Sequence, residues 1–120
     1  MMKVMIVEDN PQMRRLIKSL VVDLAEGIAE CSDGAEALEA YRQHSPDWVL
    51  MDVEMPVMDG ISATKQIIAD FPEAKIIIVT KHEHEKLRAT ATAAGACAYV
   101  LKEDLFALRA LISGQAPQTP

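Results

Sequence analysis

Five short apolar runs alternate with five helix-patterned stretches, and this alternation limits what the 120-residue chain can fold into. The runs cover residues 3–7, 28–31, Trp48–Asp52, 75–80 and 96–101. The fourth holds Ile76-Ile77-Ile78-Val79, an unbroken apolar stretch of the kind found in strands covered on both faces. Between the runs, apolar residues return every three or four positions. Met13, Leu16, Ile17, Leu20, Val21 and Leu24 form one such set, and Ile61, Ile67, Ile68 and Phe71 another. Leu38 with Tyr41, and Leu105 with Leu108 and Ile112, supply shorter inner faces. This spacing predicts helices over 11–25, 34–44, Gly60–Asp70, 86–94 and 103–113. Turn formers punctuate the joints: Asn10-Pro11, Gly27, Ser32-Asp33-Gly34, Ser45-Pro46, Pro72 and Gly95. Asp33 is placed to cap the helix after it. Regular strand–helix order predicts an α/β fold, a doubly wound five-stranded parallel sheet with helices on both faces. The weakly apolar second run belongs near the sheet edge.

The strand ends carry the chemistry. The first run stops at Glu8 and Asp9, the third at Asp52, the fourth at Thr80 and the fifth at Lys102. Asp52 stands where a buried strand meets a loop holding Pro56, Asp59 and Gly60. In open parallel sheets ligands bind beyond the carboxyl ends of the strands. Four strand ends then deliver three carboxylates, a hydroxyl and an ammonium to one edge. Three clustered carboxylates repel one another, and a divalent cation relieves the repulsion. Mg²⁺ is suited to such oxygen donors. A metal-backed Asp52 is a competent nucleophile toward phosphorus, with Lys102 and Thr80 placed to meet phosphoryl oxygens. Singly, each residue has a plain structural reading; the convergence carries the argument.

The net charge of −6 argues against a nucleic-acid surface in this segment. No run of apolar residues is long enough to cross a bilayer, and Glu8 follows too soon after the start for a secretion leader. Cys31 and Cys97 form no CxxC pair and read as buried free thiols of a reducing, cytoplasmic compartment. His82 and His84 lie in a charged loop without further ligands and read as solvated. The last stretch, 114–120 (GQAPQTP), is a polar tail or linker following a single domain over 1–113.

With VMIVEDN, DVEMPVMDG, IIIVT and AYVLKEDL in place, the chain resembles the receiver domains of two-component response regulators over residues 3–113. The resemblance implies a flavodoxin-like (βα)5 fold with strand order 2-1-3-4-5. It implies that Asp52 is the phosphoacceptor. It also implies that Asp9 and Asp52 bind Mg²⁺ directly, Glu8 mainly through water, and Glu54 through its backbone carbonyl. Thr80 and Lys102 would contact the phosphoryl group, and Tyr99 would be the switch aromatic. The implied partner is a sensor histidine kinase. The implied outcome is a changed surface over the fourth helix, fifth strand and fifth helix, controlling an output domain or partner protein, with transcription the expected process. Homodimerisation through the first and fifth helices, or through the fourth helix, fifth strand and fifth helix, is compatible with it. Two positions depart from the family pattern: Lys81 stands where a small residue is usual, and Glu103 where proline is frequent.

Two rival readings share the sheet. A small Mg²⁺-dependent phosphatase with an aspartate nucleophile generally has a second Asp two residues on; here that position is Glu54. A flavin-binding module needs loop aromatics, and the chain has one Trp, two Tyr and two Phe, none clustered in a loop. The receiver reading predicts a self-directed switch that is not a multiple-turnover enzyme.

Overall fold

The computed structural model describes residues 2–114. Its strands are β1 (Met2–Val7), β2 (Ala25–Cys31), β3 (Trp48–Asp52), β4 (Ile76–Thr80) and β5 (Ala98–Leu101). Its helices are α1 (Pro11–Val21), α2 (Ala37–His44), α3 (Gly60–Asp70), α4 (Glu85–Ala94) and α5 (Phe106–Ser113). The sheet is parallel throughout, in the order β2-β1-β3-β4-β5, as expected. The weakly apolar β2 lies at one edge.

The strand residues divide between two cores by simple alternation. Met5, Val7, Val49, Met51, Ile76 and Ile78 face α2, α3 and α4, meeting Ala37, Tyr41, Ile61, Ile67, Ala91 and Ala94. Val4, Ile6, Leu50, Ile77, Val79 and Val100 face α1 and α5, meeting Ile17, Val21, Leu105, Leu108 and Ile112. The central strands are therefore buried on both faces, which accounts for their continuous apolar sequences. Asn10 caps α1 by accepting from the Met13 amide at 2.9 Å, and Pro11 takes the first helical position.

Five expectations are corrected. The first helix stops at Val21, not residue 25. Val22–Leu24 tighten into a 3₁₀ turn, and Ala25 already pairs with Met2 as strand. Gly27, read as a helix breaker, sits inside β2 opposite Lys3, tolerated on an edge strand. Leu16, part of the helical apolar set, is 46% exposed because Ile17 and Val21 take the inner face. Cys97 is exposed rather than buried, lying just outside the edge strand β5, while Cys31 is buried. A 3₁₀ turn, Lys102–Asp104, stands where the last helix was expected to begin. The expected tail lies, beyond Gly114, outside the described residues.

Candidate functional site

Parallel strand order brings the ends of β1, β3, β4 and β5 to one side of the sheet, because neighbouring strands run in step. Asp52 pairs with Val79, and Thr80 with Leu101, so each polar terminus lies within about one residue of its neighbour's level. Glu8, Asp9 and Asp52 each bring a carboxylate oxygen within 4.8 Å of the others. Among the described residues this is the one group of His, Cys, Asp and Glu side chains so gathered. Glu8 and Asp52 are buried and Asp9 is exposed.

Lys102 arrives from the far side of the cluster. Its Nζ lies 2.9 Å from Glu8 Oε1 and 3.1 Å from Asp52 Oδ1. The β5 terminus thus supplies the counter-charge for carboxylates from β1 and β3. Burial pushes the Glu8 carboxyl up to about 7, against the opposing pull of Lys102 and the Asn10 amide, which donates to Oε2 at 3.1 Å. Burial likewise raises Asp52, again opposed by Lys102. For Lys102 burial disfavours the charge, but the two carboxylates outweigh it and the net shift is upward.

Glu8 Oε1 is buried and receives no well-directed hydrogen bond; the Lys102 charge alone compensates it. An under-satisfied carboxylate oxygen beside two further carboxylates is a donor set that fits a hard divalent cation. The cluster opens into a cleft of about 260 Å³ lined by Glu8, Asp9, Asn10, Asp52, Glu54, Lys81 and Lys102. Lys81 is exposed and brings a second ammonium to this wall.

Thr80 is buried at the end of β4, and its hydroxyl accepts from the His82 amide at 3.3 Å. Because that bond uses an oxygen lone pair, the hydroxyl proton remains free to be donated. Tyr99 lies behind the cleft rather than in it. Its hydroxyl donates to the His82 carbonyl at 2.7 Å, and the Arg88 guanidinium sits 4.4 Å from its ring centroid. Tyr99 thus ties β5 to the loop after β4 and to α4.

Several contributors were not legible beforehand. The His82 ring contacts the Glu54 carboxylate across the cleft mouth and holds that carboxyl below its usual range. His82 is exposed, as a solvated loop residue should be, yet it bridges two of the loops around the site. Arg14 donates to the Glu8 carbonyl at 2.7 Å and pairs with Glu30, bracing the end of β1 against β2. His84 caps α4 by accepting from the Leu87 amide at 3.3 Å.

The chain is similar to known receiver domains in sequence and in fold. A family model described as the response regulator receiver domain matches residues 4–113. The chemotaxis protein CheY of Bacillus subtilis is 40% identical over 101 residues, spanning 83% of this chain and 84% of that protein. The transcriptional regulatory protein YhcZ of the same organism is 38% identical over 104 residues, and the chain spans only 49% of its length. A crystal structure of a LuxR-family two-component response regulator from an Aurantimonas species superposes with a TM-score of 0.84 at 32% identity. That superposition covers 99% of this chain and 90% of the other. A family match over nearly the whole fold, together with a 40% identical relative covered over most of its length, makes this chain a response regulator receiver domain of two-component signalling.

Proposed function

We propose that the chain is a phosphorylation switch in which Asp52 accepts a phosphoryl group from a histidine of a sensor kinase. The observation that carries the reading is the Lys102 ammonium, 3.1 Å from Asp52 Oδ1 and 2.9 Å from Glu8 Oε1, inside a three-carboxylate cluster. An Asp52 oxygen attacks phosphorus, and the P–N bond to the donor imidazole breaks, its electron pair leaving on nitrogen. Asp9 and Asp52, with Glu8 through water and the Glu54 backbone carbonyl, would hold Mg²⁺. When bound, Mg²⁺ supplies charge neutralisation for the phosphoryl oxygens. Lys102 exchanges its carboxylate partners for a phosphoryl oxygen, and the Thr80 hydroxyl donates to another.

The new charge draws Thr80 toward it and opens space beside the Tyr99 ring. The Tyr99 bond to the His82 carbonyl then couples that ring to the loop between β4 and α4. The surface of α4, β5 and α5 is the element so biased. Control of transcription is the favoured output, supported by the similarity to the transcriptional regulatory protein YhcZ. A cytoplasmic location fits a partner of sensor kinases, and among the described residues no helix is long and apolar enough to cross a membrane. The chemistry is self-directed rather than enzymatic. Glu54, at the position where an aspartate-nucleophile phosphatase keeps its acid, is engaged with His82.

Incubation with Mg²⁺ and a small acyl phosphate should add one acid-labile phosphoryl group, read by intact mass. Asp52→Asn should abolish the gain while preserving the fold. Labelling that survives Asp52→Asn, or repeated turnover of a phosphomonoester, would overturn the reading.

A further inference from the structure

The loop between β3 and α3, residues 53–59, is held at two points. Near its start the Gly60 amide donates to the Val53 carbonyl at 2.8 Å. Near its end the tie comes from a distant turn. The carboxylate of Asp33, after β2, accepts from the Val57 amide at 3.0 Å through Oδ2 and from the Met58 amide at 3.2 Å through Oδ1. The same Oδ1 accepts from the Ala35 amide at 2.8 Å. Asp33 is only 8% exposed, so these three donors replace most of its water. They hold its carboxyl below the usual carboxylate range. Backbone packing closes the same joint: a Cβ on Gly34 would lie 2.3 Å from the Met58 carbonyl oxygen.

Between the two ties lie Glu54, Met55 and Pro56. We propose that Asp33 is a positioning residue for divalent-cation binding: it fixes the far end of this loop and thereby the Glu54 backbone carbonyl. The inference rests on the metal reading above and extends it to a residue outside the cleft. A helix-capping role alone would be met by the Ala35 amide. The contacts to Val57 and Met58 serve no helix; their effect is to orient the acceptor loop. Residues that orient metal ligands typically set affinity by 10- to 100-fold.

The test is Mg²⁺ titration by calorimetry on the wild-type chain, Asp33→Asn, Asp33→Ala and Arg109→Ala, all well below their melting temperatures. Arg109 binds the Leu20 carbonyl and Asp23 at the foot of α1, so its variant matches a loss of stability without touching the loop. Asp33→Ala should weaken Mg²⁺ about tenfold. Asp33→Asn, isosteric but with only one acceptor oxygen, should fall between it and wild type. Hydrogen exchange at the Val57 and Met58 amides should rise in both. Unchanged affinity in Asp33→Asn and Asp33→Ala, or an equal loss in Arg109→Ala, would overturn the inference while leaving the metal reading intact. A wild-type chain that binds no divalent cation would overturn both.

Discussion

Two of the loops that wall the cleft, those after β3 and β4, are built on opposite plans. The loop after β3 is anchored by a buried carboxylate, by the Gly60 amide and by Asp59, which caps α3 through the Ser62 amide at 2.8 Å. The loop after β4, Lys81 to His84, is exposed at every position. Its ties to the rest of the fold run through the Tyr99 hydroxyl, the His82–Glu54 contact, the Thr80 hydroxyl and the exposed Arg88–Glu83 pair. The helix that follows buries only Ala91 and Ala94. Few buried contacts and exposed hydrogen bonds are the marks of a segment that opens at low cost. One wall holds the acceptor; the other is free to report on it.

Lys102 pairs with both Glu8 and Asp52 at the head of the cleft, so its loss should have the largest effect. Lys102→Ala removes the cation that faces Asp52 and the developing phosphoryl charge. Phosphoryl uptake should slow by about 10²–10³-fold, the cost of deleting one well-placed donor to a transition-state oxygen. Single-turnover labelling at saturating Mg²⁺ measures it. A loss under tenfold would mean that the ion pair holds the fold rather than the chemistry.

Gly60→Ala attacks the rigid wall. Its Cβ would fall 1.8 Å from the Asp52 carbonyl oxygen, a backbone atom that cannot turn aside. The expected cost is about 3 kcal/mol, the upper end for overpacking, measured by denaturant unfolding. Wild-type stability in the variant would refute the close packing of β3 against the start of α3.

Protons give a third handle. Glu8 rises from 4.5 to about 7 on folding, so between those values the folded chain binds a proton that the unfolded chain releases. This group therefore makes the apo fold less stable as pH rises through that window. Mg²⁺ prefers the ionised cluster and should raise the melting temperature more at pH 8 than at pH 5. Equal shifts at both values would show that the cation binds elsewhere.

How much of this was readable in advance follows from sequence distance. The strands and their polar ends were legible because each is a local pattern, apolar residues interrupted by one charge or hydroxyl. Asp52, Asp9, Glu8, Thr80 and Lys102 were found that way, and the parallel order did the assembly. The end of α1 was missed because Leu24 continues the helical spacing; pairing of Ala25 with Met2 overrides it. Asp33 looked like a cap because its nearest donor is two residues away, whereas its partners at 57 and 58 become neighbours only on folding. The His82–Glu54 contact was hidden for the same reason. Cys97 is exposed because it lies beside an edge strand, which its small and apolar sequence neighbours do not reveal.

Tyr99→Phe sharpens the comparison on the exposed wall. It deletes the hydrogen bond to the His82 carbonyl and leaves the ring, at a cost of about 1 kcal/mol. Hydrogen exchange should quicken across residues 81–84 and stay unchanged across 53–59. Equal quickening in both loops would erase the distinction between them.

Lys81 should give the smallest effect, and it tests whether the exposed wall takes part in chemistry. Its ammonium lines the cleft but is exposed, so its attraction for a phosphoryl oxygen is that of charges in water, about 1 kcal/mol at 4 Å. Lys81→Ala should therefore slow uptake from an anionic donor by about fivefold, the rate equivalent of that energy. The difference should shrink in 1 M salt, where screening acts over about 3 Å. A slowing that salt leaves untouched would mean that Lys81 shapes the loop rather than attracting the donor. The exposed wall would then act through its backbone alone.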